Sequence, residues 1–240
     1  MSRGKLILLG ILAIAVVVLT VMAVQGPRPG APTAAAGPIP TFGTVTSDPH
    51  PVAAFVGDSY TTGTGATVKV KTRWTALVSA EMEWKEVNLG RGGTGYATTS
   101  GRSGCGKEYC PSFVEMIPEV LAVDPDVVFI SGGRSDIRAW DADPSIVIAA
   151  ITQTYADMRS AVPDARIIAV GPAVSGTVTQ DAIDMDLAVE SAATAVGAEF
   201  ISLLNPSVLD ASLLSGDRIH PNNAGHSAIA RRIVEGLGTQ

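Results

Sequence analysis

From residue 52 onward, short apolar runs alternate with stretches in which apolar residues recur every three or four positions. VAAFVG, 52–57, is an apolar run of strand length. Over 72–83, Trp74, Leu77, Val78 and Met82 fall on one face of a predicted helix. A short second strand follows at 85–90. Residues 112–123 carry helical spacing, with Pro118 expected to kink or break it. DVVFISGG, 126–133, predicts a third strand, apolar enough in its middle to be buried on both faces. A long helix over 144–162 opens on a proline. A fourth strand is expected at 165–172, a helix at 180–197 closed by Gly197, and a fifth strand at 198–204. The last helix, 222–238, has Asn at its start and Gly at its end. Five strands alternating with helices predict an α/β domain built on a parallel sheet. Ligands of such sheets bind beyond the carboxyl ends of the strands.

The stretch before residue 52 follows a different pattern. Arg3 and Lys5 precede Leu6–Val24, 19 residues without a charge. That length suits a membrane span of about 20 apolar residues and exceeds the usual signal-peptide core of about 7–15. Residues 1–25 are therefore expected to be a membrane anchor or a signal peptide, with TAAAG at 33–37 as a cleavable site. Either way, the positive-inside rule places the rest of the chain outside the cytoplasm. Residues 26–51 carry prolines at 27, 29, 32, 38, 40, 49 and 51 among Gly, Ala and Thr. They are expected to form a partly extended linker in front of a globular domain at 52–240.

Composition narrows the choice of partner. Hydrophobic residues make up 46% of the chain and charged residues 17%, enough apolar material for a sizeable core. The net charge of −6 with no Lys/Arg-rich run argues against nucleic acid, as do aromatics at only 5%. Cys105 and Cys110, close together in an exported domain, suggest a disulfide. Two thiolates alone do not complete a tetrahedral metal site.

Candidate chemistry lies in the loops. Ser59 follows the first strand in a Gly- and Thr-rich loop, a place where ordinary turns also favour Gly, Asp and Ser. Asp217 and His220 stand three apart in GDRIHPNNAGH, ahead of the last helix. One turn of backbone can bring the carboxylate to Nδ1 of the imidazole, leaving Nε2 free to take a proton from a serine.

With these residues in place, the sequence resembles the SGNH hydrolases, the GDSL-type esterase and lipase superfamily. GDSY (57–60), NLGRGGTG (88–95), SGGRSDI (131–137) and DRIHP (217–221) are similar to its four blocks, in its order. The resemblance covers 52 to about 237. It implies a flavodoxin-like three-layer α/β/α sandwich around a five-stranded parallel sheet. It also implies a Ser59–His220–Asp217 triad and an oxyanion hole formed by the Ser59 and Gly93 N–H groups. The third block departs from the pattern, with Ser135 where the family has an asparagine. A serine hydroxyl is a shorter donor with one proton, and loss of an oxyanion donor costs about 3–4 kcal/mol elsewhere. Arg134 is a candidate substrate contact through a carboxylate or sugar hydroxyls, with a solvated surface role as its alternative; Tyr60 is a candidate pocket wall or core residue, and Trp140 a candidate cleft wall. Asp136 is a candidate contact whose alternative role is turn capping. Asp58 is expected to hold its loop through backbone hydrogen bonds, and His226 to pack.

The expected function is hydrolysis of carboxylic esters with small to medium acyl groups, acetylated sugars or envelope lipids among them. The chemistry requires no metal or organic cofactor, and no Gly-rich phosphate cradle with its Lys suggests a nucleotide site. The alternatives are acyl transfer to an alcohol, or a non-catalytic carbohydrate-binding or scaffold domain on the same fold. The last has no need of an intact Ser59, Asp217 and His220.

Overall fold

The computed structural model describes residues 50–238. The segments expected at 1–25 and, apart from its last two positions, 26–51 lie outside these residues. Strand β1 (Val52–Gly57) pairs with β2 (Lys85–Asn88) on one side and β3 (Val127–Ser131) on the other. β4 (Arg166–Val170) and β5 (Glu199–Ile201) extend the β3 side, giving a parallel sheet of order β2-β1-β3-β4-β5. This is the flavodoxin-like order. The α-helices longer than four residues are α1 (Trp74–Glu81), α2 (Ile117–Leu121), α3 (Ile137–Ala142), α4 (Pro144–Ala161), α5 (Gln180–Ala195) and α6 (Asn223–Gly238). No helix among the described residues is long and apolar enough to cross a membrane.

Side-chain alternation along the strands divides the core into two layers. Phe55, Val127, Phe129, Ile168 and Val170 pack with Trp74 and Val78 of α1 and Ile229 and Ile233 of α6. Val56, Val128, Ile130, Ile167 and Ala169 face the other way, toward Val147, Ile151 and Tyr155 of α4 and Met185 and Val189 of α5. β3 is buried along its whole length, which is why its sequence is apolar rather than alternating. Phe129 stacks on Phe55 with centroids 4.7 Å apart, and Trp74 meets Phe55 edge-on at 5.5 Å. Each such side chain contributes about 2–3 kcal/mol by leaving water.

Helix starts follow their capping residues. Asp143 accepts from the Ser145 N–H ahead of α4, with Pro144 in the first turn, and Thr179 caps α5 through the Ala182 N–H. Asn222 accepts from the Gly225 N–H at the start of α6. Pro118 does not kink a longer helix as expected. A 3-10 turn at Val114–Met116 leads into α2, and Pro118 sits in the first turn of α2, where its missing N–H has no helical acceptor to lose. Cys105 and Cys110 are joined by a disulfide, S–S 2.06 Å. The strands are shorter than the apolar runs suggest, since residues beyond Asn88, Ser131, Val170 and Ile201 leave the ladder to form loops on the carboxyl edge.

Candidate active site

The loop after β1 turns tightly around Ser59. Gly57 is where the backbones converge: a Cβ there would lie 2.4 Å from the Ser131 carbonyl oxygen and 2.2 Å from Thr61 Oγ1. The Thr62 N–H donates to the Asp58 carbonyl at 3.0 Å, and the Thr64 N–H to the Ser59 carbonyl at 3.0 Å. The Tyr60 N–H donates to the Asp58 carboxylate at 2.8 Å, the loop-holding role expected of Asp58.

Asp217 and His220 sit at the tip of a narrow hairpin between β5 and α6. The Ser215 N–H donates to the His220 carbonyl at 2.8 Å, Leu214 bridges Pro221, and Arg218 takes a positive φ of 57°. His220 Nδ1 lies 2.6 Å from Asp217 Oδ2, and His220 Nε2 lies 3.0 Å from Ser59 Oγ. Asp217 Oδ1 accepts from the Ile219 and His220 N–H groups, each at 2.9 Å, and from the Ser215 hydroxyl at 2.7 Å. The contact with the His220 ring, then these backbone and hydroxyl donors, holds the Asp217 carboxyl well below the usual carboxylate range. Ser215 had no place among the sequence candidates; its only signal there is a Ser two residues before the Asp.

Two side chains join this hairpin to the Ser59 loop. The Tyr60 hydroxyl donates to the Ile219 carbonyl, and its ring meets the His220 imidazole edge-on with centroids 5.8 Å apart. Burial pushes the Tyr60 hydroxyl up to about 12, so it stays protonated as a donor. His226 is buried, and its Nε2 lies 3.2 Å from the Thr64 carbonyl, the packing role expected of it. Burial also lowers its tendency to charge.

The loops after β2 and β3 are tied together by Asp136. Its carboxylate accepts from the Tyr96 N–H at 2.8 Å, the Ala97 N–H at 3.0 Å and the Thr98 hydroxyl at 2.8 Å. Asp136 is 0% exposed, so it is not the substrate contact the sequence suggested but a brace between loops. Its capping alternative was nearer, although it caps a neighbouring loop rather than its own turn. Burial raises its pKa against the pull of these donors. Gly95 makes room for it: a Cβ there would lie 2.1 Å from Asp136 Oδ2. Gly93 has φ +76°, and its N–H, like that of Ser59, forms no hydrogen bond within the described residues. The Ser135 carbonyl accepts from the Thr98 hydroxyl at 3.2 Å, and its own hydroxyl has no hydrogen-bond partner among the described residues. Ser135 borders a shallow groove shared with Thr98 and Arg138.

A sequence profile of the GDSL-like lipase/acylhydrolase family matches residues 55–228, nearly the whole described domain. The chain belongs to this family. It is 26% identical over 190 residues to GDSL lipase Rv0518 of Mycobacterium tuberculosis, covering 77% of this chain and 80% of that protein. Among solved structures, TesA superposes with a TM-score of 0.61 at 17% identity, covering 78% of this chain and 97% of TesA. A family two carbohydrate esterase from Clostridium thermocellum, solved in complex with cellohexaose, superposes with a TM-score of 0.58 at 18% identity, covering 80% and 65%. These structural likenesses extend the α/β sandwich reading to the whole domain.

This GDSL-family domain carries a cavity of about 380 Å³ between the loop after β3 and the loop after β4. Arg134, Trp140, Ser175 and Met185 line it. Trp140 is thus a cavity wall, although only 5% of it is exposed. Tyr60 is instead turned into the structure, 6% exposed, bracing the hairpin. Arg134 also borders a chamber of about 10 Å³ behind the Ser59 loop, together with Asp58, Tyr60 and Ser131. Burial pushes the Asp58 carboxyl up to about 6, against the Tyr60 N–H and the Arg134 charge, which pull it down.

Proposed function

We propose that the protein is a serine esterase that cleaves carboxylic esters through an acyl-enzyme. The observation that carries the reading is the continuous chain Ser59 Oγ, His220 Nε2, His220 Nδ1, Asp217 Oδ2, with contacts of 3.0 and 2.6 Å. His220 takes the Ser59 proton as Oγ attacks the ester carbonyl. Asp217, held ionised, fixes the imidazole orientation and stabilises the imidazolium. The unengaged N–H groups of Ser59 and Gly93 suit the developing oxyanion, and the unpartnered Ser135 hydroxyl suits a third donor. His220 then returns the proton to the leaving alcohol. Water, deprotonated by His220, attacks the acyl-enzyme, and the acid departs as Ser59 regains its proton.

Small and medium acyl esters, including acetylated sugars, are the proposed substrates. The fold shared with a carbohydrate esterase supports the sugar esters. We further propose an extracytoplasmic location, secreted or membrane-tethered. Arg3, Lys5 and the uncharged run after them support it, as does the Cys105–Cys110 disulfide.

Hydrolysis of 4-nitrophenyl acetate and longer acyl esters by the full chain in non-ionic detergent, beside Ser59→Ala, tests the activity. Turnover by the wild type, lost in the variant, is the expected result. Absence of turnover together with failure of an active-site phosphonate to label Ser59 would refute the reading. Adding an alcohol acceptor and analysing products separates hydrolysis from acyl transfer.

A further inference from the structure

A guanidinium drawn partly out of water needs acceptors for its fork of donors. The other partly buried arginines of the described domain have them. Arg73 pairs with Glu86, Arg91 with Glu119 and Arg166 with Glu199, while Arg159 and Arg232 donate to backbone carbonyls. Arg134 differs: partly buried, it has no carboxylate within ion-pair distance and donates to no backbone carbonyl among the described residues, and its side-chain contact is with the neutral Tyr60 hydroxyl, which Ser175 also approaches. It stands beside the Tyr60 hydroxyl, itself next to the nucleophile in sequence and packed on His220, and it feels the Asp58 charge only from beyond ion-pair range.

The same side chain lines the 380 Å³ cavity, where Ser175 and Thr177 add hydroxyls and Trp140 and Met185 add apolar wall. Asp141 and Asp181 also face this cavity, but both are exposed, where solvent and salt screen their charge. The recessed charge in the cavity is therefore positive, and it belongs to a residue that also borders the chamber lined by Asp58 and Tyr60.

We propose that Arg134 makes this cavity a subsite for an anionic group, a carboxylate or phosphate, carried by the ester substrate. The inference rests on the esterase reading above and narrows its substrate class. Arg134 meets the anion with its planar fork of N–H donors, and Ser175 supplies a hydroxyl alongside. The competing role for Arg134 is as a distant counter-charge to Asp58, and the experiment separates the two.

The test compares kcat/KM for matched charged and neutral esters, using the full chain in non-ionic detergent with spontaneous hydrolysis subtracted. 4-Nitrophenyl hydrogen glutarate against 4-nitrophenyl pentanoate places the charge on the acyl side. 4-Acetoxybenzoate and 4-acetoxyphenyl phosphate against phenyl acetate place it on the alcohol side, and separate carboxylate from phosphate. At least one charged ester is expected to exceed its neutral partner by about tenfold to a hundredfold, the range for a charge-assisted hydrogen bond. In Arg134→Gln that ratio is expected to fall to within about threefold of unity, with Arg134→Lys between the two. The ratio is the readout, so a general loss of folding or of triad geometry does not mimic the effect. Turnover of the neutral esters with no charged ester preferred would overturn the subsite. So would a preference that survives in Arg134→Gln. Failure of every ester, with Ser59 unlabelled by phosphonate, would overturn the esterase reading and the subsite with it.

Discussion

Asp58 is next to Ser59, yet the fold holds its charge at a loss. It is 3% exposed, and burial raises its carboxyl from the ordinary 3.8 to about 6, with the Tyr60 N–H and Arg134 offsetting only part of that. A carboxyl whose pKa is higher in the folded than in the unfolded chain binds more protons when folded. Stability then falls as pH rises through the window from about 3.8 to about 6, and levels off above it. At 1.36 kcal/mol per unit, the ionised form costs the fold about 3 kcal/mol at neutral pH. Asp58→Asn keeps an oxygen for the Tyr60 N–H, bonded at 2.8 Å in the wild type, and removes the charge. The variant is expected to be more stable than the wild type by up to about 3 kcal/mol at pH 7.5, with the gain vanishing toward pH 4. Guanidinium unfolding of the full chain in detergent, followed by tryptophan fluorescence at several pH values, measures it. A stability difference that stays constant across that range would refute the argument, because the charge would then carry no penalty in the fold.

Other outcomes follow from the same geometry. Asp217→Asn removes the carboxylate that orients His220 at 2.6 Å, and kcat is expected to fall by roughly 10³–10⁴-fold with a much smaller change in KM. Steady-state kinetics beside a phosphonate titration of active sites would show it, and a loss confined to KM would contradict the orienting role. Tyr60→Phe keeps the ring against His220 but removes the donor to the Ile219 carbonyl. A fall in kcat of about three- to tenfold per titrated site at unchanged KM is expected, and an unchanged kcat would show that the hairpin holds itself. Gly95→Ala drives a methyl against the Asp136 carboxylate, where a Cβ would sit at 2.1 Å. A stability loss of about 2–4 kcal/mol in guanidinium unfolding is expected, and an unchanged midpoint would mean that the two loops are not locked together.

The amino-acid sequence by itself determined the layers and the candidate reacting groups. The unbroken apolar run at Val127–Ser131, of strand length and rich in β-branched residues, reads as a strand covered on both faces, and the structure packs it so. Helix starts at Pro144, Gln180 and Asn223 were legible because capping is a local matter of one side chain and the next few N–H groups. The spacing of Asp217 and His220 was likewise local, since both lie within one hairpin. Strand ends were not legible, because a ladder stops where its neighbour stops, and that neighbour lies far away in sequence. Pro118 was misread for a related reason: whether a proline interrupts a helix or opens one depends on where tertiary packing lets the helix begin.

Only the tertiary structure brought Ser59 to His220, across 161 positions of chain, at 3.0 Å. The same holds for the brace from Tyr60 to the Ile219 carbonyl and for Asp136, whose carboxylate is spent on the neighbouring loop rather than offered to a substrate. Nothing in a local pattern distinguishes a carboxylate facing solvent from one facing three donors about forty residues away. That distinction depends on burial, and burial exists only once the parallel sheet has gathered the loops at one edge.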